Sequence, residues 1–400
     1  MSRVPQIELQ QCTGLEKGKP PAQQPYYGDG AALYLTPEYL RGAAIACESV
    51  KPSTNAVRVD SGDTILLWDG SNAGEVMRGR PGILASTMSR VNHDDRFLPP
   101  YFFYALKGWE AHLKGQTSGS GIPHVDKEIL GRLTITEFER PEQSMIAEVL
   151  ATVDRAIEQT EALIAKQRRI KTGLMQDLLT RGIDEHGTLR SEATHKFRDS
   201  PLGRIPAEWD EKHLDDCVEF WDGKRVPLKQ ADRDEMPGDF PYYGASGIID
   251  YIDKYIFNDD LILVGEDGEN VVSRNLPLAF MVSGKIWVNN HAHVLKPKDG
   301  FNIEFLTNRL EYYDYTLLVS GSAQPKLNQR NLRQMELPMP SSAEQNQIGD
   351  VMVAHTNRCD QIVRNAAKLR RLKTGLMQDL LTGKRRVKTL MKSSPEVSAL

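Results

Sequence analysis

A decapeptide that occurs twice constrains this chain more than any other feature. Lys-Thr-Gly-Leu-Met-Gln-Asp-Leu-Leu-Thr occupies 171–180 and returns unchanged at 373–382, an offset of 202. Chance identity over ten varied residues is negligible, so the chain is written as two copies of one plan. The same offset carries Ser118-Gly119-Ser120 to Ser320-Gly321-Ser322, Pro123 to Pro325, Leu130 to Leu332, Glu142-Gln143 to Glu344-Gln345 and Ile146 to Ile348. Upstream the echo drifts. Leu9 and Cys12 with Gly18-Lys19 answer Leu214 and Cys217 with Gly223-Lys224, and Pro25-Tyr26-Tyr27-Gly28 answers Pro241-Tyr242-Tyr243-Gly244. Each half therefore joins a variable region to a nearly constant one, which suits two reading heads on a common chassis better than plain structural duplication.

The constant segments predict long helices. Apolar or small residues fall at Ile146, Leu150, Val153, Ile157, Thr160 and Ile164, and Ile170, Leu174 and Leu178 continue the stripe. The second copy runs through Ile348, Met352, His355, Cys359, Ile362, Ala366, Leu369, Leu376 and Leu380. A spacing averaging about 3.5 is the seam of a coiled coil. Ser144 and Ser341-Ser342 are capping candidates, with Pro141 and Pro340 at or before the first turn. A helix of about 38 residues is roughly 57 Å long and cannot bury its stripe alone. Chain order makes the two helices antiparallel partners. Gly173 and Gly375 each cost about 1 kcal/mol inside a helix, and their retention in both copies predicts a close approach or a bend. A plain helical hairpin is the rival reading of this stripe.

The remaining regions predict a mixed α/β (α+β) fold of short strands. Asp63-Thr-Ile-Leu-Leu-Trp68 and Asp260-Leu-Ile-Leu-Val264 are buried-strand candidates ending in Asp-Gly turns. Residues 285–295 alternate Ile286, Val288, Asn290, Ala292 and Val294 against Lys285, Trp287, Asn289, His291 and His293, an apolar face and a donor-rich face. The expected domains are 1–141, a helix over 142–182, a polar linker over 183–204, a second domain over 205–340, a helix over 341–384 and a solvated tail over 385–400 containing Arg385, Arg386 and Lys388.

Several chemistries are excluded. Lys and Arg total 50 against 54 Asp and Glu, a net charge of −4, so the chain is not a uniformly basic DNA-coating protein. The start has no apolar signal core, and no apolar run approaches the roughly 18 residues of a membrane span. Cys12, Cys47, Cys217 and Cys359 form no CxxC pair, which fits a reducing cytoplasm without zinc or disulfides. There is no GxxxxGK[ST] loop, no Gly-rich fingerprint after a strand and no Asn-Pro-Pro-Tyr tetrapeptide of an adenine methyltransferase. Ser118-Gly119-Ser120 is not a GxSxG elbow, and His291 with His293 lacks further metal ligands. No catalytic or metal residue is assigned; the chain reads as a binder.

These features together resemble the specificity subunit of Type I restriction-modification enzymes. The resemblance rests on the two-copy plan, the Pro-Tyr-Tyr-Gly of each half, residues 273–295, Ser320-Gly-Ser-Ala-Gln-Pro-Lys-Leu-Asn-Gln-Arg-Asn-Leu332, and helices ending in the repeated decapeptide. It implies two target-recognition domains, related by a pseudo-two-fold axis, that each read half of an asymmetric, bipartite site on double-stranded DNA. It implies an antiparallel coiled coil that spaces the halves and docks two methyltransferase (modification) subunits, with restriction motor-nuclease subunits joining. Adenine methylation and cleavage, with S-adenosylmethionine, ATP and Mg, then belong to those partners. A coiled-coil scaffold that does not read DNA is the alternative. The first half fits less closely, with Tyr26-Tyr27-Gly28-Asp29-Gly30 and Thr136–Pro141 departing from the second half's pattern.

On that reading, lysines and arginines hold phosphates while a few side chains reach base edges. The candidates are Arg78, Arg80, Arg90, Lys114, Ser118, Ser120 and His124 in the first half, and Arg274, Lys285, Asn289, Asn290, His291, Lys326, Asn328 and Arg330 in the second. The helical seam and partner surface is assigned to Ile146, Leu150, Val153, Ile157, Leu174, Leu178, Ile348, Met352, Ile362, Leu369, Leu376 and Leu380.

Overall fold

A computed structural model describes residues 4–42, 47–117, 121–321 and 325–387. The chain divides into two compact units, Met1–Glu161 with Arg364–Leu400, and Ala162–Val363. In unit 1 the apolar run Thr64–Leu67, buried at every position, is a central strand of a four-stranded antiparallel sheet, in the order Thr13–Lys17, Met88–His93, Thr64–Leu67, Val76–Arg78. A second sheet runs Ser49–Val50, Ala32–Leu35, Gly82–Leu84, Arg58–Val59, with Tyr34 parallel to Ile83. Gln6–Glu8 pairs with Thr134–Thr136.

Unit 2 repeats this order element by element. Leu261–Gly265, again wholly buried, is central in the sheet Val218–Phe220, Ala292–Pro297, Leu261–Gly265, Ala279–Val282. The second sheet is Gly247–Ile252, Pro237–Gly244, Lys285–Val288, Phe257–Asn258, and its parallel pair, Tyr242 beside Trp287, stands where Tyr34 and Ile83 stand in unit 1. Asp210–His213 pairs with Glu336–Met339. Antiparallel ladders dominate, so the fold is α+β rather than α/β. The register also corrects one echo: the counterparts of Tyr242-Tyr243 are Tyr34-Leu35, and Tyr27 of the first Pro-Tyr-Tyr-Gly is a loop residue, 79% exposed. Residues 285–295 are not one amphipathic strand; they turn at 289–291, and Trp287 and His293 are buried on the face expected to be open.

The long helices are Arg140–Thr180 and Ser342–Leu381. In unit 1 the first part of one packs antiparallel on the last part of the other: Asp154 pairs with Lys373 at 2.6 Å and Glu161 with Arg370 at 2.5 Å, while Ile146, Leu150 and Leu380 share the unit's core with half-buried Leu376. In unit 2, Leu178, Leu179, Ile348 and Met352 share a core with half-buried Leu174. Val153, Ile157, Ile362 and Leu369 are half-buried. Ile170 is 39% exposed, whereas Gln167 is buried, so the seam follows Ile164, Gln167, Lys171 and Leu174 rather than Ile170. Ser341 Oγ accepts the Glu344 N–H, the expected cap. Ser144 lies inside a helix that begins at Arg140 and caps nothing. An added Cβ at Gly173 or Gly375 would meet nothing within 4 Å, so no neighbour in the chain requires either glycine.

The segment expected as a linker is folded onto unit 2. Ile183 and Arg190 are buried, and Phe197–Ser200 pairs with Gly203–Pro206. Arg190 donates to Glu344 at 2.5 Å, and Trp209 Nε1 donates to the same carboxylate at 3.2 Å. The segment after the second helix does likewise in unit 1: Arg386 grips buried Glu142, with Nε donating at 2.6 Å, and Val387 enters the core. Residues 385–387 are therefore not a solvated tail; exposed Lys384 and Arg385 face Asp379, and Lys388 lies outside the described residues. Gly182 and Gly383, at φ 62° and 75°, end the two helices in the left-handed conformation. The repeated glutamines seat the globular parts: Gln143 Oε1 accepts from Leu98 N–H at 2.7 Å, and Gln345 Oε1 from Asn302 N–H at 3.0 Å.

Candidate nucleic-acid interface

The repeated Ser-Gly-Ser…Pro element is fastened to the Asp-Gly turn in the same way in each unit. In unit 1, Gly70 N–H donates to Pro123 O at 2.9 Å and Val125 N–H to Trp68 O at 3.0 Å. In unit 2, Gly268 N–H donates to Pro325 O at 3.2 Å and Leu327 N–H to Glu266 O at 2.7 Å. Gly70 and Gly268, at φ 113° and 98°, supply the left-handed turn. Backbone bonds carry no side-chain identity, so this seat is constant. The residue after the proline is exposed and differs, His124 opposite Asp69 and Lys326 opposite Asp267. Ser118 and Ser120 lie outside the described residues. The element thus joins a fixed support to a variable side chain, which is what a reading surface requires.

The structure sorts the other candidates. Arg78 and Arg80 are exposed, with their guanidinium groups over Phe103 at 4.0 Å and over Tyr39 at 5.2 Å. Lys114 is exposed beside Glu110 at 3.4 Å. Lys285 is exposed above Tyr255 and Phe240, at 5.0 and 5.7 Å. Arg330 and Asn290 are exposed. His291 reaches Asp267 at 2.9 Å, and Lys326 reaches Glu266 at 3.1 Å with half its side chain open. The exposed cations Arg78, Arg80, Lys285 and Arg330 keep charge at the surface and suit phosphate oxygens, while the charged ends of Lys114 and Lys326 already face carboxylates.

Four candidates belong to the fold instead. Arg90 is held by Glu16 at 2.7 Å, Asp63 and the Arg58 carbonyl, which neutralises it. Arg274, at φ 51°, donates to the Tyr313 and Glu311 carbonyls and pairs with the Glu311 carboxylate at 3.1 Å, closing a short helix. Asn289 is 5% exposed and accepts from His291 N–H, which makes it a turn residue. Asn328 caps Gln329–Arg333 through its bond from Asn331 N–H. Polar type and position suggest these four from sequence, but Arg90 and Arg274 are tied to distant carboxylates and carbonyls, and Asn289 and Asn328 serve a local turn and a helix cap.

Other residues reach the surface that sequence spacing did not single out. Lys224 sits over Trp221 at 3.3 Å and Lys51 over Tyr26 at 5.6 Å; Tyr27, Tyr251 and Tyr255 expose large rings. Exposed aromatics with adjacent lysines offer stacking and charge together. Their signal was the clustering of Tyr, Trp and Lys within the variable regions. Beneath the unit 2 element, Asp222, Arg225, Glu266 and His293 form a buried polar network. Burial pushes both carboxylates up, but the bonds and charge of His293 and Arg225 outweigh it, and Asp222 and Glu266 stay below the usual carboxylate range.

The two buried cysteines are poor nucleophiles. Burial pushes the Cys12 thiol up to about 11 and Cys217 to about 12, and their sulfurs face the Glu8 and His213 carbonyls in equivalent places. Among the described residues no group of three or more His, Cys, Asp and Glu is placed to hold a metal, and no helix is long and apolar enough to cross a membrane.

The sequence matches the family described as Type I restriction modification DNA specificity domain over residues 7–166 and again over 206–370. The type I restriction enzyme MjaVIII specificity subunit of Methanocaldococcus jannaschii is 31% identical over 390 residues, covering 90% of this chain and 88% of its own. Among solved structures, the S subunit of a type I restriction-modification system from M. genitalium has a TM-score of 0.63 at 17% identity, covering 94% of this chain and 96% of that one. A chain from work on complex assembly and conformational transition of the type I R-M system reaches 0.55 at 14% identity, covering 95% and 99%. These two structures share its fold. With one match to each copy and a relative along nearly its whole length, the chain belongs to the Type I restriction-modification DNA specificity family.

Proposed function

We propose that this chain is the non-catalytic, DNA-reading subunit of a cytoplasmic Type I restriction-modification complex. Each unit reads one half of an asymmetric, bipartite site on double-stranded DNA. The long helices set the distance between halves and dock two methyltransferase subunits, which motor-nuclease subunits join. The single observation that carries this reading is the contrast inside each unit. Strand order, the loop seat and the helix ends are repeated, while the exposed side chains around the seat differ. A scaffold would have no need of that divergence.

Chemistry then resides on the partners, which bring S-adenosylmethionine, ATP and Mg. Within this chain, Arg78, Arg80, Lys114, Lys285 and Arg330 hold phosphates, and His124, Asn290, His291 and Lys326 approach base edges. The test is selection of bound duplexes from a random pool by the full chain with its methyltransferase partner, followed by sequencing of methylated bases. One two-part motif with a fixed spacer is expected. Lys285→Ala or Arg330→Ala should weaken binding to all duplexes alike and shallow the salt slope by about 1. Binding with no preference over random competitor would leave only a scaffold.

A further inference from the structure

Unit 2 contains a buried cluster whose side chains are replaced at the equivalent described positions of unit 1. His293 is 1% exposed; its Nδ1 is 2.7 Å from Asp222 Oδ2 and its Nε2 is 2.8 Å from the Leu327 carbonyl oxygen. A carboxylate and a carbonyl only accept, so both bonds exist only while both ring nitrogens carry hydrogen. Asp222 also accepts from Val294 N–H and from Gln329 Nε2, each at 2.8 Å. Around the ring stand Glu266, 3.9 Å from Nδ1, and Arg225, 2.7 Å from Glu266 and 3.6 Å from Asp222, with Lys326 on the far side of Glu266.

Lys326, Leu327 and Gln329 lie on one segment, which also presents exposed Arg330. The cluster thus ties that segment to the sheet through side chains as well as backbone. In unit 1 the register puts Lys17 and Ser89 where Asp222 and His293 stand, and Trp68 where Glu266 stands. At His293's place unit 1 thus has a serine in place of a ring.

We propose that the His293–Asp222–Gln329 cluster is a latch that positions residues 326–330 for target reading in unit 2 alone, and that it holds only while both His293 ring nitrogens are protonated. His293 is a positioning residue, acting through Leu327 and its neighbours. This inference rests on the proposed reading of DNA by unit 2. Loss of either ring hydrogen breaks one of the two bonds and sets an acceptor against an acceptor. Reading by one half of the site then weakens, and reading by the other does not.

The experiment uses the full chain with its methyltransferase partner and a duplex selected from a random pool. Affinity is measured from about pH 6 to about pH 9 on that duplex and on versions with each half-site scrambled in turn. The contribution of one half-site should fall about tenfold over this range while the other stays level, and His293→Gln should flatten the profile. Equal pH dependence of both halves, a level profile in the unaltered chain, or a slope that survives in His293→Gln overturns the latch. Should the variant not fold, nitrogen NMR of 15N-histidine in the unaltered chain decides: both His293 nitrogens protonated near neutral pH supports it, and a singly protonated ring sinks it. A complex that enriches no duplex overturns the DNA-reading assignment instead, and the nitrogen spectrum still judges the protonation on which the latch depends.

Discussion

Glu142 and Glu344 open the two long helices, yet each is almost fully buried and serves as an anchor for an arginine beyond the end of the other helix. Breaking a buried pair leaves an unpaired charge in a low-dielectric site, which typically costs about 3–5 kcal/mol. Glu344→Ala leaves Arg190 only its exposed partner Glu208, at 3.1 Å, and strips Ile183 N–H and Trp209 Nε1 of their acceptor, so it should lower unfolding stability by up to about that amount, and Glu344→Ala with Arg190→Met by clearly less than the sum of the single changes. Denaturant unfolding of the four proteins checks this; additive losses would show that the pair is not coupled. The repeat made the glutamates visible, since Glu142-Gln143 and Glu344-Gln345 share the constant offset. Their arginines were hidden, because Arg190 follows the decapeptide by ten residues and Arg386 by four. A second pair of solutions was hidden for the same reason. The Leu381 carbonyl at one helix end accepts from Thr136 Oγ1 at 2.7 Å, whereas the equivalent Leu179 carbonyl accepts from Arg309 at 3.0 Å. Burial pushes the Arg309 guanidinium down to about 10. Thr136→Val keeps the shape but orphans the Leu381 carbonyl and should cost about 1–3 kcal/mol in the same assay.

At the scale of elements, the period of the helices was legible and one stretch of their register was not. Ile170, though apolar, stands off the seam, because steps of three and four from Ile164 lead through Gln167 and Lys171. The central strands were legible as unbroken apolar runs. At 285–295 alternation does not reveal the turn between two strands, nor that Asp222 and the Leu327 carbonyl cover the polar-looking face at His293. Gly173 and Gly375 now yield a plain expectation. With open space at each Cβ and helical backbone, Gly173→Ala or Gly375→Ala should stabilise the chain by about 1 kcal/mol, read as a rise in melting temperature. A fall would mean that the helix is not regular there. The seam of unit 2 also predicts acid sensitivity. His355 is held below the usual histidine range by burial, then by Lys171 and Arg358, and its Nε2 is buried without a partner. The folded chain thus binds a proton less readily than the unfolded one, whose histidine titrates near about 6.5. Stability from this site is complete above that pH and is lost as pH falls below it. Melting curves at about pH 7.5 and about pH 5 should show a smaller acid loss in His355→Gln than in the unaltered chain.

For the whole molecule, the duplicated plan was readable from one decapeptide, and the fold class from the runs between its copies. Which cations stay open to a ligand was not readable, because exposed Lys285 and an arginine locked by Glu16 and Asp63 look alike in sequence. The proposed division of labour makes a prediction that depends on none of those contacts. Each long helix has residues in both units, and its seam repeats every seven positions. Inserting one heptad at matched places in both helices preserves the seam and lengthens each by about 10.5 Å at 1.5 Å per residue. Base pairs rise by about 3.4 Å, so the spacer between the two half-sites should widen by about three pairs while the half-sites themselves stay the same. Sequencing of methylated bases in cells carrying the lengthened chain and its methyltransferase partner reads the spacer directly. Changed half-sites with an unchanged spacer would show that the helices do not measure the DNA. An unchanged motif in every respect would place the determinant of spacing on the partner subunits.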